Sequence, residues 1–334
     1  MLVPVLTKDQ RPLMPTTKHR AMKLVAKKEA TPFWKRGIWC IRLNKESSGY
    51  TTQTVCVGVD PGSKKEGFSI VSEANTIANF QADAVQHVKD AIETRRNMRR
   101  ARRFRKTPYR QNKYNRAKSP FPPSTKARWD LKLRIIDWLA KIYPITDVVV
   151  EDIQAETRKG GRKWNISFSP LEVGKRYFYE ELSSHFALEI RPGWENSEFR
   201  KSLGLKKLKN KMSNDWHAHC VDGYALAKWF VGGDNEPSTK KVCLIQPFKF
   251  ARRQLQVLQP AKGGIRKQYG STRSEGFKRG SIVKHPKYGT CFVGGAAKNR
   301  ITLCCLKTAE RLSRCIKPSD VQFKTYSPWR LNYA

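Results

Sequence analysis

The sequence predicts a mixed α/β fold built on a central sheet, and three observations carry the prediction. Residues 54–85 hold three short apolar runs separated by turn residues, "TVCVGVD", "GFSIVSEA" and "TIANFQADAV", which read as an antiparallel meander. Residues 124–144, "STKARWDLKLRIIDWLAKIYP", repeat apolar positions mostly at helical spacing between a Ser/Thr start and a proline stop. The run "TDVVVED" is short, apolar throughout and ends in acid, as a strand covered on both faces does.

The remaining elements follow in order. In residues 1–50, "VPVLT" is a strand, Pro12 and Pro15 around Leu13 and Met14 interrupt regular structure, Thr16 or Thr17 caps a short basic helix, and "IWCIRL" is a second strand. Together they make a small N-terminal α+β module. After the meander, residues 95–118 carry twelve Lys or Arg and no acid. Met98, Ala101 and Phe104 recur three apart within that run, giving a helix over about 90–118 with one thin apolar stripe and guanidinium groups around the rest, suited to phosphate backbones. A solvated basic arm is the plainer alternative. Beyond "TDVVVED" come a basic loop "TRKGGRKWN", a helix "PLEVGKRYFYEELSSHFA", a strand "LEIRP", a short helix near "SEFRKSLGL", a helix "NDWHAHCVDGYALAKWF" and a strand "VCLIQP". These close a domain over residues 51–250. Residues 251–334 begin basic and Gly-rich, then alternate and turn through "SIVKHPKYGTCFVGGAAKNRITLCCL" and "KPSDVQFK" as a small β-barrel-like domain.

Charge selects the partner. Lys and Arg number 66 against 28 Asp and Glu, a formal net charge of +38, which calls for a polyanion. No apolar run approaches the ~20 residues of a spanning helix, and the N-terminus lacks the apolar core of a secretion signal, so the expectation is nucleic acid and no membrane. The eight cysteines are scattered without a C-x-x-C pair, which argues against structural zinc and for buried thiols in a reducing cytoplasm.

Three carboxylates then stand at element ends: Asp60 after the first strand of the meander, Glu151 after "DVVV" and Asp222 in the late helix. Taken singly, Asp60 reads equally well as part of an Asp-Pro-Gly-Ser turn, Glu151 as a strand-end solubiliser and Asp222 as a polar helix position. Together they occupy the acid positions of a ribonuclease H-like sheet, in which the first and fourth strands lie side by side and a helix crosses their edge. Phosphodiester hydrolysis uses such a set to hold two Mg²⁺ ions about 3.5–4 Å apart, with Mn²⁺ as a substitute. His219, three residues before Asp222, is expected on the same helix face, as base or orienting group for the attacking water.

Four stretches together resemble the IsrB branch of the IscB family, RuvC-type nucleases related to the type II CRISPR effectors. "RPLMPTTKHRA" resembles the family's PLMP motif, while "GVDPGSKKEG", "VVVED" and "HAHCVDGYALA" resemble its three RuvC motifs, and the arginine-rich run corresponds to its bridge helix. The resemblance implies a prokaryotic, cytoplasmic ribonucleoprotein, a monomer on a large structured guide RNA called ωRNA, that cuts double-stranded target DNA. It implies Asp60, Glu151 and Asp222 as Mg²⁺ ligands and His219 as the water-assisting residue. Lys64 and Lys65 would line the groove for the displaced strand, and Arg95, Arg96, Arg99, Arg100, Arg102, Arg103 and Arg105 would contact nucleic acid. The C-terminal domain would read the motif beside the target. IscB proteins insert an HNH nuclease between the second and third RuvC motifs, whereas residues 153–218 hold one histidine, His185, before the third motif and no His-Asn-His spacing. A single centre, and so a nickase, is the expectation. A junction resolvase, a guided binder without cleavage and a structural RNA-binding protein are the alternatives.

Overall fold

Prolines shape the first strands. In the computed structural model, which describes residues 1–47, 49–103, 122–153, 169–233, 236–248, 258–259, 264–265 and 273–334, β1 (Val3–Leu6) is buried and pairs antiparallel with β2 (Pro12–Thr16). The expected interruption at Pro12 and Pro15 is therefore a strand. It lies at the edge of a four-stranded sheet of order β2-β1-β4-β3, where a residue without an N–H is tolerated. β3 (Ala30–Lys35) escaped the sequence reading, and β4 (Ile38–Leu43) is the "IWCIRL" strand, parallel to β1. Thr17 caps α1 (Lys18–Ala26), accepting from Arg20 N at 3.3 Å.

The chain forms two compact units. The first comprises Met1–Phe33, Trp39–Cys243 and Ala334, and the second Trp34–Ile38 and Leu244–Tyr333. At the centre of the first lies the expected meander. β5 (Val55–Asp60) is buried along its whole length and pairs antiparallel with β6 (Lys65–Ser72), which pairs antiparallel with β7 (Thr76–Asp83).

α2 (His87–Arg103) carries the arginine run, with Arg96 and Arg100 exposed. Arg105 and the rest of the helix expected to residue 118 lie outside the described residues, as does the loop "TRKGGRKWN". α3 (Pro123–Ala140) buries Trp129, Leu131, Ile135, Ile136, Trp138 and Leu139, the apolar stripe legible in its spacing. It is also tied down by charge: Lys132 reaches β6 through a buried ion pair with Glu66 at 2.8 Å. β8 (Asp147–Asp152) then joins β5 in parallel, Val57 opposite Val148 and Val59 opposite Val150.

α4 (Pro170–Ser183) packs on α3, with the Trp129 and Phe178 ring centroids 5.0 Å apart. β9 (Ala187–Pro192) extends the sheet in parallel beyond β8, setting Glu151 opposite Arg191, and leads directly into α5 (Gly193–Ser202). The last helix of the unit, α6 (Cys220–Val231), crosses the sheet over β5 and β6. Its approach depends on glycine. A Cβ at Gly58 would overlap the Gly223 carbonyl oxygen, one at Gly223 would sit 2.9 Å from the Gly58 oxygen, and one at Gly67 would overlap the His219 carbonyl. Ser69 Oγ donates to the Cys220 carbonyl at 2.8 Å and fixes the helix start against β6.

β10 (Val242–Pro247) leaves the first unit. In the second, two-residue ladders β11 (Leu258–Gln259) with β12 (Gly264–Ile265) and β13 (Arg273–Ser274) with β14 (Phe277–Lys278) precede a five-stranded antiparallel sheet. That sheet contains β15 (Ser281–His285), β16 (Gly289–Ala297), β17 (Arg300–Cys305), β18 (Arg311–Ile316) and β19 (Gln322–Tyr326), in the order β18-β17-β16-β15-β19. β20 (Trp329–Tyr333) follows. Val283, Cys291, Val293, Ile301 and Leu303 form its core. Among the described residues no helix is long and apolar enough to cross a membrane.

Candidate metal centre

Parallel pairing of β5 with β8 puts the C-terminal ends of both strands on one edge, and there Asp60 and Glu151 emerge. The glycine contact lowers α6 onto the same edge and brings Asp222, in the first turn of that helix, to the pair. One carboxylate oxygen from each of the three residues lies within 4.8 Å of the others. Asp222 is 1 % and Asp60 7 % exposed, and Glu151 is half-buried.

Three acids so close cannot all stay charged without help, and each finds a different remedy. Asp222 is neutralised by Arg200 from α5 and Lys207 from the loop after it, with Arg200 Nη1 on Oδ1 and Lys207 Nζ on Oδ2. The positive end of α6 adds to this. Asp60 Oδ2 is 3.1 Å from His219 Nδ1. Among the described residues Glu151 forms no ion pair, although the Lys207 charge acts on it. Burial, and then the Asp60 and Asp222 charges, push its carboxyl up to about 8 against the opposing Lys207, and its Oε2 is buried without a hydrogen-bond partner among the described residues. Space for that side chain comes from Gly193, where a Cβ would stand 2.6 Å from Glu151 Oε1.

His219 does not share a helix face with Asp222 as expected. It is the residue before the first turn of α6, with φ −136° and ψ −38°, because the preceding loop descends onto the sheet and the helix begins only at Cys220. Its Nε2 lies 3.1 Å from the Lys211 carbonyl while Nδ1 faces Asp60. Both nitrogens meet acceptors, so the doubly protonated ring satisfies both. Burial opposes that charge, but the Asp60 and Lys211 hydrogen bonds outweigh it and the pKa is raised.

Lys65 needs correction. It is buried at 7 % exposure, with Nζ 2.9 Å from Asp83 Oδ1 and 2.8 Å from Asn214 Oδ1, so it ties the loop before α6 to β7 and cannot line a groove. β6 is buried along its whole length, and Lys65 at its first position is covered with the rest. Lys64 is exposed. Arg200, Lys207 and the Lys211 carbonyl were missed. Their segment, "RKSLGLKKLKNK", signals only a basic helix end and loop, and nothing local tells that Arg200 and Lys207 fold back on an acid 15 to 22 residues later.

A sheet with three antiparallel strands, two parallel strands added on the β5 side and a helix carrying the third acid across them is the ribonuclease H-like arrangement. The fold is RuvC-like. Residues 3–164, just under half of the chain, match the family model of the RRXRR protein, and Arg99-Arg100-Ala101-Arg102-Arg103 in α2 spells that pattern. Among solved structures the chain is similar to Thermus thermophilus RuvC in complex with a Holliday junction substrate, at 14% identity over 54% of this chain and 97% of that one, TM-score 0.28. It is also similar to the yeast mitochondrial Holliday junction resolvase, at 12% identity over 55% and 80% of the two chains, TM-score 0.29. No curated protein matches the sequence.

The three carboxylates suit hard divalent cations: all-oxygen donors, a buried Glu151 oxygen lacking a partner, and cationic side chains already drawn to Asp222.

Proposed function

We propose that the protein is an RNA-guided DNA endonuclease of the IsrB type, which nicks the displaced strand through one carboxylate centre. The observation that carries the reading is the convergence of Asp60, Glu151 and Asp222 from two adjacent strand ends and a helix start. The net charge of +38 and the R-X-R-rich helix α2 support a nucleic-acid substrate, and the matched family model is one found in IscB-type nucleases.

In this reading Asp60, Glu151 and Asp222 would hold two Mg²⁺ ions, for which Mn²⁺ would substitute. Bound there, they supply Lewis acidity that activates water and stabilises the leaving oxygen. Glu151 must give up its proton to serve as a ligand. Arg200 and Lys207 offset charge at Asp222 and must loosen as its oxygens turn to a ligand role. His219 carries a proton on each ring nitrogen, so it must first release the Nδ1 proton to solvent; only the neutral ring, with its Asp60 contact yielded, takes a proton at Nδ1 from the attacking water. The displaced strand is the substrate because it alone stays single and flexible when a guide pairs with its complement. Arg96 and Arg100 on α2 contact phosphates and position the guide without reading sequence.

Two measurements test the proposal. Nucleic acid extracted from the purified protein should be a long structured RNA. Protein loaded with that RNA and Mg²⁺ should convert a supercoiled plasmid carrying the matched target to open circle, with the Asp60→Ala protein inactive. Absence of bound RNA, with cleavage of four-way junctions in its stead, would replace the guided reading by a resolvase. Linear product appearing as fast as open circle would refute the nickase.

A further inference from the structure

The second unit contains a cleft of about 510 Å³ with no role in the chemistry above. Its walls come from β16, β17 and the residues around β10 and β18, and its chemistry is of two kinds. Phe248 and Phe292 stand with ring centroids 4.7 Å apart, and Cys304 completes the apolar wall. Around them are Arg279, Arg311 and Arg330, with no acidic side chain among the described lining residues. We propose that this cleft binds one unpaired nucleotide of a nucleic acid strand, its base against the phenylalanines and its phosphate between Arg279 and Arg311.

Four features converge on that ligand. The sign is settled by guanidinium groups without a carboxylate, which favour an anion. Arg330 is a fixed part of the wall, its Nη1 held by the Leu306 and Lys307 carbonyls at 3.2 and 2.9 Å. Arg279 Nε is buried without a hydrogen-bond partner among the described residues, and Arg311 is exposed. Both charges act on Cys304, whose thiol is pushed up by burial against them.

A flat apolar group is required next to the anion, because the floor is aromatic and Phe248 is held in place. Its ring packs on Gly280, at φ +86°, where a Cβ would come within 2.9 Å. Space is provided by a β-bulge: Val293 opposes Leu303 and Gly295 opposes Thr302, leaving Gly294 as the extra residue and open space at Gly295. The volume falls within the ~300–1,000 Å³ of small-ligand pockets. Lastly, the groups point into a concavity, whereas reading a paired base needs side chains that project from a helix or ribbon into a groove. The ligand must therefore leave its stack, and base stacking on aromatic side chains accepts any sequence.

The test uses the full-length protein and single-stranded DNA and RNA oligonucleotides of ~12 nucleotides, within the usual site size, carrying 5-iodouracil. After irradiation, adducts are mapped by peptide mass spectrometry. The cleft reading expects adducts on the peptides that contain Phe248 or Phe292, with little from the same oligonucleotide in duplex form. Arg311→Gln, at an exposed position, and Arg279→Gln should together lower those adducts about tenfold while adducts elsewhere and the melting temperature stay constant. Phe292→Leu should lower the same adducts by removing the stacking face, with a fall in melting temperature because the ring is 4 % exposed and sits in a buried cluster. Millimolar uridine monophosphate that abolishes the adducts identifies the mononucleotide itself as the ligand, and its failure to compete identifies strand context as necessary; both uphold the cleft. Adducts that form only outside these peptides, that persist in the double arginine variant, or that form equally with duplex would overturn it. None of these outcomes depends on plasmid cleavage, so the cleft and the nuclease centre fail or stand separately.

Discussion

In the first unit three carboxylates stand within 4.8 Å of one another and cations of the same chain close on one of them, whereas the cleft of the second unit gathers arginines around two phenylalanines with no acid in its described wall. The first site is neutralised from within: Arg200 and Lys207 at Asp222, His219 at Asp60, a retained proton on Glu151. The second keeps its charge for something that arrives. In a chain with 66 basic and 28 acidic residues, cations are available everywhere, so the distinguishing act is where acid is concentrated and where it is withheld.

Breaking the first site should have the largest effect. Asp60→Ala, Glu151→Ala and Asp222→Ala should each take plasmid nicking below detection while guide RNA binding stays within a few-fold, as read by gel shift; near-native nicking in one variant would remove that residue from the centre. His219→Ala should slow single-turnover nicking by about 10²–10⁴. A loss that small acid buffers such as imidazole restore would assign it proton transfer, since a merely structural role gives no such rescue.

The two units also differ in how glycine is used, and a methyl group reports the difference. Gly58→Ala sets a Cβ into the Gly223 carbonyl and should destabilise the first unit by about 1–3 kcal/mol or more, measured by denaturant unfolding. Gly295→Ala meets open space and should leave stability unchanged. Smaller still is the pH effect. Mg²⁺ must displace the Glu151 proton, so apparent affinity should rise at most tenfold per pH unit up to about 8 and then level off, and Glu151→Gln should flatten the profile. For the metal-free protein the sign is opposite. Glu151 holds its proton more tightly folded than unfolded, so its contribution to stability is complete below the ordinary 4.5 and is lost as pH rises through about 8. The least effect is expected on α2: Arg96→Gln with Arg100→Gln should reduce the salt slope of RNA binding by roughly 0.7–0.9 per lost phosphate contact, visible in filter binding at two ionic strengths.

Much of the sheet was legible because its signals are local. Alternation and turn residues marked β5, β6 and β7, and the apolar "DVVV" run marked β8, so two strand ends with acids could be paired from element order alone. Distance along the chain defeated the rest. Whether Lys65 faces water or Asp83 is set by sheet pairing, and the Arg200 and Lys207 contacts to Asp222 arise only when α5 and its following loop fold back. His219 carried a helical spacing to Asp222 that became irrelevant because the helix starts one residue later. At β2 the prolines were read correctly as unable to donate and wrongly as unable to pair, since an edge strand needs donors on one side only.

That edge has a further consequence. A strand from another molecule that tried to extend the N-terminal sheet beyond β2 would find Pro12 and Pro15 where a regular ladder offers amide donors, in a segment only five residues long. Edge-to-edge growth is the route by which exposed sheets polymerise, and proline is one of the residues that blocks it. The "PLMP" stretch thus acts as a terminator, closing one flank of the N-terminal sheet to edge-to-edge self-association.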